Sequence, residues 1–170
     1  MKSYTIIKKP EILDWAPIPV APIDIHLEKE AVDIAATAQL CYDEEALFVR
    51  LTAKEANIRA EYTNVLDMVC EDSCLEFFFC PNYDDDRYFN IEYNPNCCIY
   101  LGIASGAQDL VRLLPQAGIP FSPKATTTED GWEITYQVPF EFVRRFFPDF
   151  APVSGTKIRG NFYKCGDLTV

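Results

Sequence analysis

Apolar and polar positions alternate along most of this chain. In "ALFVRLTAK", Leu47, Val49, Leu51 and Ala53 alternate with Phe48, Arg50, Thr52 and Lys54, the period of a strand with one face toward a core. The preceding "ATAQLCY" is separated from it by "DEE", so the two runs read as a hairpin. "CLEFFFC" places Leu75, Phe77 and Phe79 on one face and Cys74, Glu76, Phe78 and Cys80 on the other, both heavily apolar. "YFNIEYN" sets Phe89, Ile91 and Tyr93 against Tyr88, Asn90, Glu92 and Asn94, a side rich in hydrogen-bonding groups. "NPN" is a turn signal, after which "CCIYLGI" returns antiparallel and "DLVRLL" offers a further short strand.

"KATTTEDGWEITYQV" predicts another hairpin around "EDG", with Trp132, Ile134, Tyr136 and Val138 on one face. Pro139 suits a first helical position, so "PFEFVRRFF" predicts a short helix that ends before Pro148 and covers one end of the fold. "GTKIRGNFYKCG" reads as a closing strand, Ile158, Gly160 and Phe162 alternating with Arg159, Asn161 and Tyr163. The proline-rich start suits an extended segment, with "YTIIK" as an edge strand. Many short strands, one short helix and no βαβ repeat predict an all-β chain, an antiparallel β-sandwich forming a single domain over residues 1–170.

Charge narrows the partners. Fifteen Lys and Arg against 26 Asp and Glu give a net charge of −11, which repels phosphate backbones and anionic lipid, so neither nucleic acid nor a membrane is an expected partner. The opening residues have no apolar core of signal-peptide length, and the chain reads as a soluble cytoplasmic protein. Seven cysteines, an odd number, are expected to be mostly free, buried thiols. Their spacing contains no paired CxxC units, and the single histidine, His26, stands far upstream in "DIHLE", so no zinc pattern appears.

A glutamate inside "CLEFFFC" needs a partner or a cleft. Sugars are hydroxyl-rich rings with apolar faces, and their sites combine flat aromatic side chains with fixed carboxylates and amides. Glu76, Asn90 and Glu92 fit that need if their strands pair in register. The plain alternative is a solvated face, or Glu76 paired with Arg50, Arg87 or a lysine. Two glutamates could also form a glycoside-hydrolysing pair, although no GxSxG, HExxH or glycine-rich phosphate loop accompanies them. "NYDDDR" offers three carboxylates as a candidate calcium site, but without the EF-hand order. Of the two tryptophans, Trp132 is expected in the core and Trp15 is the freer.

Five segments, "AQLCYDEEALFVRL", "EDSCLEFFFCPN", "YFNIEYNPNCCIYLG", "DGWEITYQVPFEF" and "IRGNFYKCGD", together resemble carbohydrate-binding family 9-like proteins between about Ala36 and Asp167. The resemblance implies a β-sandwich that recognises carbohydrate without catalysis of its own, binding a saccharide such as a glucan or xylan chain end, often with structural calcium. It implies that Glu76 contacts the sugar, because a glutamate in the matching strand does so in the family's modules. Asn90 and Glu92 match positions where those modules usually carry an arginine and an asparagine. The modules clamp the sugar between two tryptophans. Here "RAEYTNVLDMVC" offers only Tyr62 as a platform, the second tryptophan has no match, and the aromatic-rich stretch usual after "NFYK" meets the end of the sequence at Val170.

Overall fold

The computed structural model describes residues 2–25, 35–65, 67–106, 109–114 and 121–169; His26 lies outside them. Among the described residues, eleven strands and one α-helix follow in order: β1 (Ile7–Lys8), β2 (Ala21–Ile23), β3 (Ala35–Tyr42), β4 (Ala46–Lys54), β5 (Cys74–Cys80), β6 (Tyr88–Tyr93), β7 (Ile99–Ala104), β8 (Val111–Arg112), β9 (Lys124–Thr128), β10 (Gly131–Pro139), α1 (Phe140–Arg144) and β11 (Arg159–Cys165). One sheet runs β1-β3-β4-β10-β9, with β2 also on β3, and the other runs β11-β5-β6-β7-β8. Every pairing is antiparallel except that of β1 with β3. This is the expected sandwich, with "YTIIK" contributing the two-residue edge strand β1.

The alternating faces meet in one core. Leu47, Val49, Leu51 and Ala53 of β4 are buried, as are Trp132, Ile134 and Val138 of β10, Leu75, Phe77 and Phe79 of β5, and Phe89, Ile91 and Tyr93 of β6. Phe77 stacks on Phe162 of β11 at 4.8 Å, which carries the aromatic layer to the edge strand. Gly131 is required where β10 meets β4: a Cβ there would stand 2.0 Å from the Ala53 carbonyl oxygen.

The two sheets also share a buried polar link. Glu55, just after β4, accepts from the Trp132 indole at 2.6 Å and pairs with Lys164 of β11 at 3.0 Å, both charged groups being shielded from solvent. Trp132 is thus a core residue, as expected.

The helix corrects one expectation. Pro139 is not the first helical residue; it is the last residue of β10, extended at ψ 133°, and α1 spans five residues from Phe140. Pro139 faces Ala46 across β4 and the Phe140 amide donates to Glu45 O at 2.7 Å, so sheet pairing holds the chain extended one residue longer. Phe142 then packs on Phe89 and Phe121, at 5.1 and 5.0 Å, and Phe147 on Phe89 at 5.5 Å.

Candidate functional site

Register brings the chemistry together. Residues directly opposite in neighbouring antiparallel strands share a sheet face with adjacent side chains. Glu76 is opposite Glu92 in β6 and Tyr163 in β11, and Glu92 is opposite Tyr100 in β7. Four strands therefore align a row, Tyr163, Glu76, Glu92, Tyr100, on the face turned away from the core. The next row is Asn161, Phe78, Asn90 and Gly102, with Arg112 of β8 opposite Gly102.

This face is partly roofed. Val69, in a 3-10 turn at Val69–Glu71, packs with Cys74 and Cys98, and Tyr100 and Cys165 border that small cluster. Leu110 lies over Gly102, where an added Cβ would come within 2.6 Å of it. Glu76, Asn90 and Glu92 are consequently only 8%, 6% and 7% exposed. Burial at this depth demands hydrogen-bond partners, because an unpaired buried acceptor costs about 1–3 kcal/mol.

Only part of that demand is met. The Asn90 amide donates to Glu92 Oε1 at 2.7 Å, and the Cys165 thiol donates to Glu76 Oε1 at 2.5 Å. Among the described residues, Asn90 Oδ1 and Glu92 Oε2 have no partner. Burial, reinforced by the Glu76 charge opposite, pushes the Glu92 carboxyl up to about 7, and the Asn90 bond and the Arg112 charge only partly oppose this. Burial also raises Glu76, with the Cys165 bond pulling back and the Asp167 charge adding to the rise. Open acceptors, protonatable carboxyls and bordering tyrosines suit a neutral, hydroxyl-bearing ligand that donates hydrogen bonds and offers an apolar face.

Glu76, Asn90 and Glu92 are thus brought together, and the ion-pair alternatives go elsewhere: Arg50 pairs with Glu133 and Arg87 with Asp85. Tyr62 does not join them. Its hydroxyl bonds the Glu71 carboxylate, and the Arg59 guanidinium lies over its ring at 5.3 Å. The segment carrying it is tied down by Asp72, which is fully buried, pairs with Arg59 and accepts from the Glu61 and Tyr62 amides and from Asn94 Nδ2, at 3.0, 2.9 and 2.8 Å. At the "DDD" corner, Asp85 binds Arg87 and Asp86 lies 3.8 Å from Arg159, so two of the three carboxylates already face arginines. Trp15 is half-buried, and its carbonyl accepts from Gln39.

Sequence reasoning missed Tyr163, Tyr100 and Arg112 as members of this face. Tyr163 is the most open of the row, edge-on to Phe78 at 5.2 Å and hydrogen-bonded by Asn161 at 2.9 Å. Tyr100 carries the Arg112 guanidinium over its ring at 4.2 Å, and Arg112 also holds the Val65 and Asp67 carbonyls. Alternation puts Tyr163 on the side of Arg159 and Asn161, but only strand order sets it beside Glu76.

Comparison with known proteins gives the same architecture. The sequence profile of carbohydrate-binding family 9 matches residues 7–170. A candidate carbohydrate-binding protein of Bacteroides uniformis is 26% identical, with 89% of this chain and 73% of that one aligned at a TM-score of 0.71. A family 9 carbohydrate-binding module of Caldicellulosiruptor kristjanssonii in complex with cellotriose aligns with TM-score 0.66 at 13% identity, covering 95% of this chain and 75% of that one. A family 9 module of the same organism in complex with glucose aligns with TM-score 0.62 at 15% identity, covering 92% and 74%. No curated protein sequence matches the chain.

Proposed function

The chain belongs to carbohydrate-binding family 9, a family of non-catalytic saccharide binders, and from that premise we propose that it holds a saccharide end on the outer face of the β11-β5-β6-β7 sheet. The observation that carries this reading is the row Tyr163, Glu76, Glu92, Tyr100 together with the two unpaired acceptors beside it, Asn90 Oδ1 and Glu92 Oε2. Sugar hydroxyls would donate to those acceptors and to Glu76, and Tyr163 would offer its ring to the sugar's apolar face.

A glucan or xylan chain end is the ligand class we favour, and the family 9 modules of similar fold solved with cellotriose and glucose support the glucan. Without two tryptophan walls the affinity is expected to be modest, because each sugar hydroxyl exchanges water for a protein partner at small net gain. Calorimetric titration with glucose, cellobiose, xylobiose and a mixed glycan panel tests the reading. Heat that Glu76→Ala abolishes and Tyr163→Ala weakens supports it, and a silent panel with folded protein contradicts it. Turnover of a chromogenic glycoside by Glu76 and Glu92 would instead favour hydrolysis.

A further inference from the structure

The fold assembles something that the cysteine spacing does not advertise. Cys74 of β5 and Cys165 of β11 are register partners, one on each of two adjacent strands, although they are far apart in sequence. Their sulfur atoms and one Glu76 carboxylate oxygen all lie within 4.8 Å of one another. Cys74 is fully buried and Cys165 half-buried, and the Cys165 sulfur touches Glu76 Oε1 at 2.5 Å.

Among the described residues, the surroundings are short of positive charge. The Cys70 thiol lies within electrostatic range of Cys165, Glu76, Glu92 and Asp167. Lys164, next in sequence to Cys165, belongs to the other face of β11 and is committed to Glu55. Arg112 acts on Glu92 but is engaged with the Val65 and Asp67 carbonyls and the Tyr100 ring.

We infer that Cys74, Cys165 and Glu76 form a binding site for a soft divalent cation, zinc in the first place. Two sulfurs and one carboxylate oxygen are a donor set that selects zinc over calcium or magnesium. Tetrahedral zinc with bonds of about 2.3 Å to sulfur and about 2.0–2.2 Å to oxygen holds its donors about 3.5–3.8 Å apart, so the Cys165 sulfur and Glu76 Oε1 must move apart from their 2.5 Å hydrogen bond as the thiol proton leaves, and the fourth position is left to water. Each thiol releases its proton to solvent as its sulfur takes the ion, so two protons leave for one Zn²⁺ bound. The cation places positive charge where the fold has gathered thiols and carboxyls without enough of it.

This site shares Glu76 with the saccharide reading but does not rest on it. The test is therefore run without sugar. The full chain, reduced and stripped with a chelator, is titrated anaerobically with Co²⁺ as a spectroscopic stand-in. Expected is a thiolate-to-cobalt charge-transfer band that saturates at one equivalent, is displaced by Zn²⁺, and survives in Cys97→Ser. Cys165→Ser, on the edge strand, and Cys74→Ser should each lose it while circular dichroism reports a folded protein. Zinc should raise the melting temperature of the parent and not of Cys165→Ser, a readout that stands if Cys74→Ser fails to fold. A colourless cobalt titration of folded parent protein overturns the proposal, as does a band that persists in folded Cys165→Ser. Saccharide calorimetry on the chelated protein reports on the sugar site separately.

Discussion

Glu92 carries the clearest consequence at the scale of single residues. Its carboxyl is raised to about 7 in the folded chain, so between about pH 4.5 and 7 the folded protein keeps a proton that the unfolded chain has released. Stability contributed by that proton is full below the window and is lost as pH rises through it, by about 3 kcal/mol at most. Urea midpoints of chelated protein, measured across the window, should fall more steeply with pH in the parent than in Glu92→Gln. Equal slopes would mean that Glu92 titrates normally. The presence of Glu92 and Asn90 on a polar strand face was legible in the sequence, because strict alternation in "YFNIEYN" assigns sides by itself. That two of their oxygens stand unpaired was not, since it depends on the roof formed by Val69 and Leu110.

At the scale of elements, one loop is fastened to β5 and β6 through a single carboxylate. Asp72 gathers the Arg59 guanidinium, two backbone amides and Asn94, fixing residues 59–62 beside the sheet. Replacing it by alanine leaves Arg59 with its exposed partner Glu61 and strips the Glu61 and Tyr62 amides of their acceptor, and leaving buried donors unmet costs about 1–3 kcal/mol. Chemical denaturation of Asp72→Ala should show a loss of that order, whereas Asp84→Ala at the exposed corner should change little. The hairpins and the closing strand could be read from the sequence, and so could the helix, apart from its first residue and its length, which is five residues and not two turns. Cross-strand order could not. Tyr163 and Cys165 reach Glu76 and Cys74 only through the β11–β5 register, and nothing in "NFYKCG" says which strand it joins. The zinc-like donor set escaped spacing rules for the same reason, because its members sit on two strands and not on one short motif.

The whole molecule is held by a mixed core. Aromatic and aliphatic side chains fill the space between the sheets, and Glu55 ties Trp132 of one sheet to Lys164 of the other. Lys164→Met removes the cation and leaves a buried carboxylate with only the indole. A loss of about 3–5 kcal/mol is expected by denaturant unfolding, and the double change Glu55→Leu with Lys164→Met should recover much of it. Full stability of the single variant would show that Glu55 is not compensated by Lys164. The residues on this inward side of β11 serve the core, and those on its outward side, Asn161, Tyr163 and Cys165, serve the candidate site. One edge strand thus joins the core to the candidate site.

The central claim is that a saccharide end sits on the Glu76 face. Isothermal titration of the metal-free chain with cellobiose, alongside Glu76→Ala checked for folding by circular dichroism, addresses it most directly. The account predicts heat of binding in the parent and none in the variant. Equal heats in both proteins would contradict it.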